Sequence, residues 1–476
     1  MRSLHLNEGN HTMVLSPEVF DEMSRSRAHL NMLPNLRSLV WLTGSVERMR
    51  HSLLFQHENI TSFTIRLHKT HSYPLSTFFE EVLSRMPNLE GLDLRFRFPV
   101  REVEHELMEL LAGLTMLKRV VLPVYTLTSR ILKQLSIHHH LETIQFEYMD
   151  FQGSGDIQDV LDWNPQLEEG AFPALWDLSL STKLPAITKF INNGFAPPNL
   201  KSLYIHVLAA VPAETLSHFL EVLSNNCTQL THLYLDFFTA ATIPATPKEW
   251  PRLDWAALRP LLGFPRLVSL ELRWDHPLDI SLGDLEEMAS KWPNLETLLL
   301  NCEPMDMSAP PALDLRALLP FARYCPKLTQ LGLYMNASND VPIPKLDQIK
   351  PFSSLEELVV GGSRITDAGY VAMFLSQLCP PGCDVVWGVA WPEGFGVVET
   401  DANAAELARL QNDAKEDCER WAEVEKMLPL LTKLRVDERS VREELETEVE
   451  DLRMRCVLLA DRPTTSAAPH ESCVPF

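Results

Sequence analysis

Between residues 33 and 360 one arrangement of apolar residues keeps returning: an apolar residue, two variable ones, an apolar residue, one variable, then another apolar residue. It reads Leu89-Leu92-Leu94, Leu117-Val120-Leu122, Leu141-Ile144-Phe146, Leu175-Leu178-Leu180 and Leu200-Leu203-Ile205. It continues as Leu230-Leu233-Leu235, Leu267-Leu270-Leu272, Leu295-Leu298-Leu300, Leu328-Leu331-Leu333 and Leu355-Leu358-Val360, with looser copies at Leu36-Leu39-Trp41 and Ile60-Phe63-Ile65. The last two apolar residues of each triplet stand two apart, so both face the same side of a short strand. Proline two residues before the first leucine, as at Pro34, Pro87, Pro293 and Pro326, stops a preceding helix. Between triplets the spacing turns helical: Phe78-Phe79-Val82-Leu83, Leu107-Leu110-Leu111, Leu216-Phe219-Leu220-Leu223 and Leu285-Met288-Ala289.

Twelve such copies, about 29 residues apart on average, carry the signature and period of the leucine-rich repeat. The predicted fold is α/β: a leucine-rich-repeat solenoid, a horseshoe of about twelve irregular repeats over residues 33–390, in which stacked triplets form a parallel sheet over a leucine-filled interior. Two features predict irregularity. Spacings run from 24 to 37, and the asparagine that usually follows the third leucine by three positions appears only as Asn336. Other copies place Gly44, Arg97, Lys183, Phe238 or Asp275 there. The long insert from Phe237 to Phe264, with Pro244, Pro247, Pro251, Pro260, Trp250 and Trp255, predicts a loop packed on one rim and anchored by its tryptophans.

The flanks differ from the array. Residues 1–32 are expected to form an N-terminal cap or remnant segment. Residues 363–387 predict a closing helix and strand, with Cys379-Pro380-Pro381-Gly382-Cys383 as the turn between them. From 401 to 461 glycine disappears, charge becomes dense and apolar residues fall at alternating spacings of three and four. They are Leu407, Leu410, Ala414, Trp421, Val424, Leu428, Leu431, and then Leu445, Val449, Leu452, Cys456 and Leu459. Arg435, Glu438 and Arg442 interrupt that seam, and Pro429 fits early in a second helix, so the expectation is a charged helical hairpin, with an intermolecular coiled coil as the alternative. Residues 462–476 read as a disordered tail.

Charge and chemistry narrow the function. With 64 acidic against 42 basic residues, the net charge of −22 repels nucleic acid and anionic membranes, so neither is an expected partner. No apolar run is long enough to span a bilayer, and the polar N-terminus lacks a signal-peptide core. The eight cysteines are too scattered for a disulfide framework. A cytoplasmic or nuclear location is expected. No catalytic motif of the serine-elbow, phosphate-loop or HExxH kind is present, so no enzymatic activity and no cofactor are expected. Cys379 and Cys383 lack the further ligands a zinc ion needs, and His138-His139-His140 fits a helix end better than a metal site, so no metal is expected.

Binding has better support. The variable positions beside the second and third leucines point away from the leucine interior. In the middle repeats they are Tyr204, His206, His232, Tyr234, Asp236, Glu271 and Arg273, with Tyr334 further along. Amphipathic aromatics with a few charges suit a protein contact on a concave face. Asp177, Ser179 and Ser181 offer less at the same places, which moves the expected contact from the seventh repeat onward.

The LPNL and CPKL turns, the LCPPGCDVVWG closure and the stretches WAEVEKMLPLLTKLR and REELETEVEDLRMR resemble irregular leucine-rich-repeat, F-box-like proteins of mushroom-forming fungi, over roughly residues 14–460. That resemblance implies a substrate receptor of a cullin-type ubiquitin ligase, joined to it by a Skp-type linker if an F-box lies upstream. The F-box itself is not recognisable: Leu15-Ser16-Pro17-Glu18-Val19-Phe20 echoes its opening, with only some twelve residues before Leu33. The alternative is a stand-alone repeat scaffold.

Overall fold

The computed structural model describes residues 1–8, 16–26, 29, 31–69, 73–146, 152–209, 211–237, 252–304, 310–338, 340, 341, 349–388, 412 and 414–460. Strands β1 (Ser3–Asn7), β2 (Ser38–Leu42), β3 (Ser62–Arg66), β4 (Gly91–Arg95), β5 (Arg119–Val121) and β6 (Thr143–Gln145) open a parallel sheet. It continues through β7 (Asp177–Thr182), β8 (Ser202–Val207), β9 (His232–Asp236), β10 (Ser269–Arg273), β11 (Thr297–Leu300) and β12 (Gln330–Leu333). The short β13 (Asn336–Ala337) stands aside, and β14 (Glu357–Gly361), β15 (Arg364–Ile365) and β16 (Asp384–Trp387) complete the set. Fourteen strands lie side by side in chain order, while β13 pairs with β15 in a separate two-stranded sheet.

The pairing register explains why the triplet works. Leu203, Leu233, Leu270, Leu298, Leu331 and Leu358 are direct neighbours across successive strands, so the second leucines stack in one row. First and third members are buried with them, in one continuous core shared with the helices. Just before the strands, one carbonyl per repeat accepts two N–H groups of the next. Lys201 O takes Thr231 and His232, Thr231 O takes Val268 and Ser269, and Val268 O takes Glu296 and Thr297. The prolines sit second in turns closed by Leu36 N to Leu33 O, Leu295 N to Trp292 O and Leu328 N to Cys325 O, a place where proline's fixed φ is already correct.

Four expectations change. Residues 1–8 and 16–26 belong to the array: β1 pairs with β2, setting Leu4 beside Leu39 and Leu6 beside Trp41, and Phe20 of the helix Pro17–Ser26 is buried against Trp41 and His51. A single Leu-x-Leu was too short to register as a repeat by sequence. Phe146 leaves the leucine ladder, because β6 ends at Gln145 and the ring packs with a second, smaller apolar cluster. The inter-repeat asparagine role falls to other residues. Asn301, buried at a left-handed φ of 51°, accepts from Trp274 N at 2.8 Å and donates to His276 O at 2.7 Å, and Ser363 Oγ bridges Met335 N and Leu333 O. Asn336 instead starts β13, and backbone satisfaction is achieved with different donors at different turns.

The fourth correction concerns the C-terminal hairpin. One helix runs from Lys415 to Ala460 with Pro429 inside it. Pro429 leaves the Glu425 carbonyl without its helical donor. Yet no glycine or turn sequence follows to reverse the chain, and Trp421, Val424 and Leu428 bury one face across the proline's flank. That face closes the solenoid. Trp421 donates to Ser363 O at 2.8 Å, Arg420 to Ile365 O at 3.0 Å, and Trp387 to Glu425 at 2.9 Å. Beneath it lie the expected closing helix, Ala368–Leu378, capped by Asp367, and the last strand β16 against β14. In the long insert, Trp255 opens a short helix and donates to Glu287 at 3.0 Å. Trp250, Pro244, Pro247 and Pro251, the seam residues Leu407 and Leu410, and the tail 462–476 lie outside the described residues.

Candidate functional site

The sheet has two faces, one buried under helices and one carrying the variable positions. In β8 to β10 the variable positions fall into three rows: Ser202, His232 and Ser269; Tyr204, Tyr234 and Glu271; His206, Asp236 and Arg273. The middle row holds an aromatic strip. Tyr204 and Tyr234 stack at 6.1 Å with 26° between ring planes, and Phe146 meets Tyr204 edge-on at 5.2 Å. Phe146 is placed one strand beyond β7. The small Ser179 and Ser181 of β7 leave room for its ring to reach Tyr204, which gives those unpromising serines a purpose. Tyr204, His232, Tyr234, Glu271 and Arg273 are all partly exposed, as a contact face requires. Arg273 holds Glu271 at 2.7 Å.

Three expected contact residues are not on that surface. His206 and Asp236 are only 1% and 2% exposed, and Tyr334, in the connection between β12 and β13, is 6% exposed. A lid covers the first two. Val124, Tyr125, Val160 and Leu208, backed by Phe146, Ile157 and Leu161, form an apolar cluster apart from the main core. It meets the array through the Tyr125 hydroxyl, which hydrogen-bonds His206 Nε2 at 3.0 Å, and through Phe146 against Tyr204; within the array Tyr204 donates to Asp236 Oδ2 at 3.0 Å. Tyr125 adopts a left-handed φ of 64°, next to the Gly155 N–H that binds Val124 O at 2.8 Å. Tyr125, in an irregular loop, and Phe146, in a triplet, carry no local sign of this role in the sequence. The only available signal was the 34-residue gap between Leu141 and Leu175, long enough for an inserted lid.

Ser181, His206 and Asp236 are neighbours in one row, the three residue types of a nucleophile relay. Their geometry is not that of one. His206 Nε2 is engaged by Tyr125, His206 Nδ1 is 3.8 Å from Asp236, and the Ser181 hydroxyl is buried without a hydrogen-bond partner among the described residues. A nucleophile needs its base within about 3 Å and an open approach for substrate.

The electrostatics around β9 and β10 are unusual. Burial raises the Glu271 carboxyl despite Arg273, and burial together with Asp236 pushes Asp275 up to about 7. One Asp275 oxygen is buried with no hydrogen-bond partner among the described residues. Elsewhere, Cys379 and Cys383 are both buried in the closing turn, and the Cys379 thiol is raised by its hydrogen bond to Cys383 and by burial. Burial also lowers His138. No group of three or more potential metal ligands occurs among the described residues. No helix among them is long and apolar enough to cross a membrane. A shallow depression lined by Ser217, Glu221, Ser224, Arg259 and Pro260 lies among the helices, away from the strip.

Sequential parallel strands, a shared leucine ladder and one decorated open face define a leucine-rich-repeat solenoid. No protein-family model matches the chain, and no curated protein matches it either. Among solved structures it is similar to a crystal structure of the Rad7 and Elc1 complex in yeast, with 13% identity and a TM-score of 0.41, over 82% of this chain and 90% of that one. It is also similar to a crystal structure of a TLR13–ssRNA13 complex, with 13% identity and a TM-score of 0.33, over 77% of this chain and 52% of that one. At these values neither likeness speaks to what this chain does.

Proposed function

We propose that the chain is a non-catalytic protein-interaction module that docks a partner protein on the aromatic strip of its open sheet face. The observation that carries this is the Phe146–Tyr204–Tyr234 strip, partly exposed and flanked by His232, Glu271 and Arg273. Rigid, amphipathic rings held on adjacent strands lose little side-chain entropy on binding, which is why such residues anchor protein contacts. The sealed Ser181–His206–Asp236 row supports a binding rather than a catalytic role, and the seven free cysteines among the described residues suit a reducing, cytoplasmic or nuclear setting. The narrower role of substrate receptor for a cullin-type ubiquitin ligase draws on the fungal resemblance alone. Among the described residues of 1–32, β1 and the helix Pro17–Ser26 join the array.

Affinity purification of the full chain from its own cells, compared with Tyr204→Ala/Tyr234→Ala, tests the surface. The double variant should lose its protein partners by at least tenfold, while Tyr204→Phe, which keeps the ring and removes the hydroxyl bonded to Asp236, should keep them. Unchanged partners in the double variant reject this face. A Skp-type linker among the wild-type partners would establish the receptor role, and its absence leaves the stand-alone scaffold.

A further inference from the structure

The closing helix is far longer than closure requires. Its described packing is with the helix Ala368–Leu378 and with β15 and β16, and the last anchoring bond runs from Arg439 to Gln377 O at 2.7 Å. From Ser440 to Leu458 every residue but Asp451 is exposed. At about 1.5 Å per residue this is nearly 30 Å of helix clear of the array. It carries an apolar seam at Leu445, Val449, Leu452 and Cys456, with the first three 55%, 45% and 50% exposed. A bare seam of this kind on an isolated helix is a surface waiting for a second helix.

The charges beside the seam indicate which helix. In heptad terms Arg442, Val449 and Cys456 share one seam position, and Leu445 and Leu452 the other. The flanking positions are Glu446 and Arg453 on one side, Glu448 and Arg455 on the other. Two copies of this segment laid antiparallel, crossing midway between Val449 and Leu452, set Val449 against Leu452 and Leu445 against Cys456 in each direction. In that register antiparallel helices pair like flanks with like. Glu446 then meets Arg453 of the other copy, and Glu448 meets Arg455, giving four opposite-charge pairs and no like-charge pair between these positions. A parallel pair instead places Arg442 against itself in the seam and matches only Glu448 with Arg453.

We propose that the free end of this helix joins two copies of the chain through a short antiparallel coiled coil, leaving both open sheet faces available. The seam is only about two heptads long and each chain carries −22, so association is weak, on the order of micromolar, and tightens as salt screens the net repulsion. The inference is independent of what the aromatic strip binds.

Light scattering and sedimentation of the full chain over a concentration series supply the test. The expected species is a dimer in exchange with monomer. Leu445→Asp/Leu452→Asp should abolish it without altering the melt of the array, since both side chains are exposed. Charge reversal makes the orientation testable: Glu446→Arg/Glu448→Arg should weaken the dimer at least tenfold. Adding Arg453→Glu/Arg455→Glu to the same chain should restore it. In mild oxidant, Leu445→Cys should yield a disulfide dimer through Cys456 of the other copy. A wild-type chain that stays monomeric at tens of micromolar, whether because another part of the chain covers the seam or because a different protein does, overturns the proposal. So does failure of the fourfold swap to rescue, or cross-linking through Cys456 to Cys456 in the unsubstituted chain.

Discussion

Trp421→Ala should detach the C-terminal helix from the solenoid. The indole is 1% exposed, packs with Val424 and Leu428 into the core, and donates to Ser363 O at 2.8 Å. Truncating a buried tryptophan costs about 3–5 kcal/mol, through lost apolar contact and the cavity left behind. Here it also strands the Ser363 carbonyl. In a solenoid each unit is stabilised mainly by its neighbours, so the loss should concentrate at the C-terminal end. Hydrogen exchange should accelerate in residues 415–432 and in β16, with β2 to β9 little changed. Leu434→Ala, at a site 59% exposed, serves as the control and should change neither. Uniform protection in the Trp421 variant would mean that the helix is not what closes the array.

The second large effect depends on pH. Folded Asp275 titrates at about 7, raised by burial and by Asp236, against 3.8 for the ordinary group. Below about pH 4 both folded and unfolded chains hold this proton, and the site costs nothing. Between 4 and 7 only the folded chain keeps it, so its contribution to stability falls as pH rises through that window. Above 7 the buried charge is carried in full, at a cost on the order of 2–4 kcal/mol. Asp275→Asn keeps the shape and removes the charge. The variant should be more stable than the parent by about 2 kcal/mol or more at pH 8, and nearly equal to it at about pH 3.5. Denaturant melts at the two pH values check this. An equal difference at both would show that Asp275 is ionised normally in the fold.

The array was legible in the sequence because each triplet repeats one solution to one problem. Leucines two apart must face the same side of a strand, and that constraint is local. The middle-row residues Tyr204, Tyr234 and Glu271 follow from the same alternation, and the structure sets them side by side. What was not legible depends on segments distant in sequence. His206 and Asp236 occupy open-face positions by alternation, yet the loops carrying Tyr125 and Val160 fold over them, and no local pattern announces that. Phe146 fits the triplet perfectly by residue type and still leaves it when β6 ends one residue early. Asn301 performs the asparagine role two positions earlier in its repeat, through a left-handed turn that a fixed motif does not anticipate. The helix Lys415–Ala460 defeated the usual reading of proline, because the tertiary packing of Trp421, Val424 and Leu428 outweighs one missing helical bond.

That the open sheet face, rather than the helical side, receives the partner is best tested by site-specific photo-cross-linking in the cells that make the protein. A photoreactive phenylalanine analogue replaces Tyr234 on the strip in one chain. In a second it replaces His218, exposed on the helix Ala213–Asn226. The account predicts a discrete protein adduct from position 234 and none of the same mass from position 218. An adduct from 218 alone, or the same adduct from both, would contradict it.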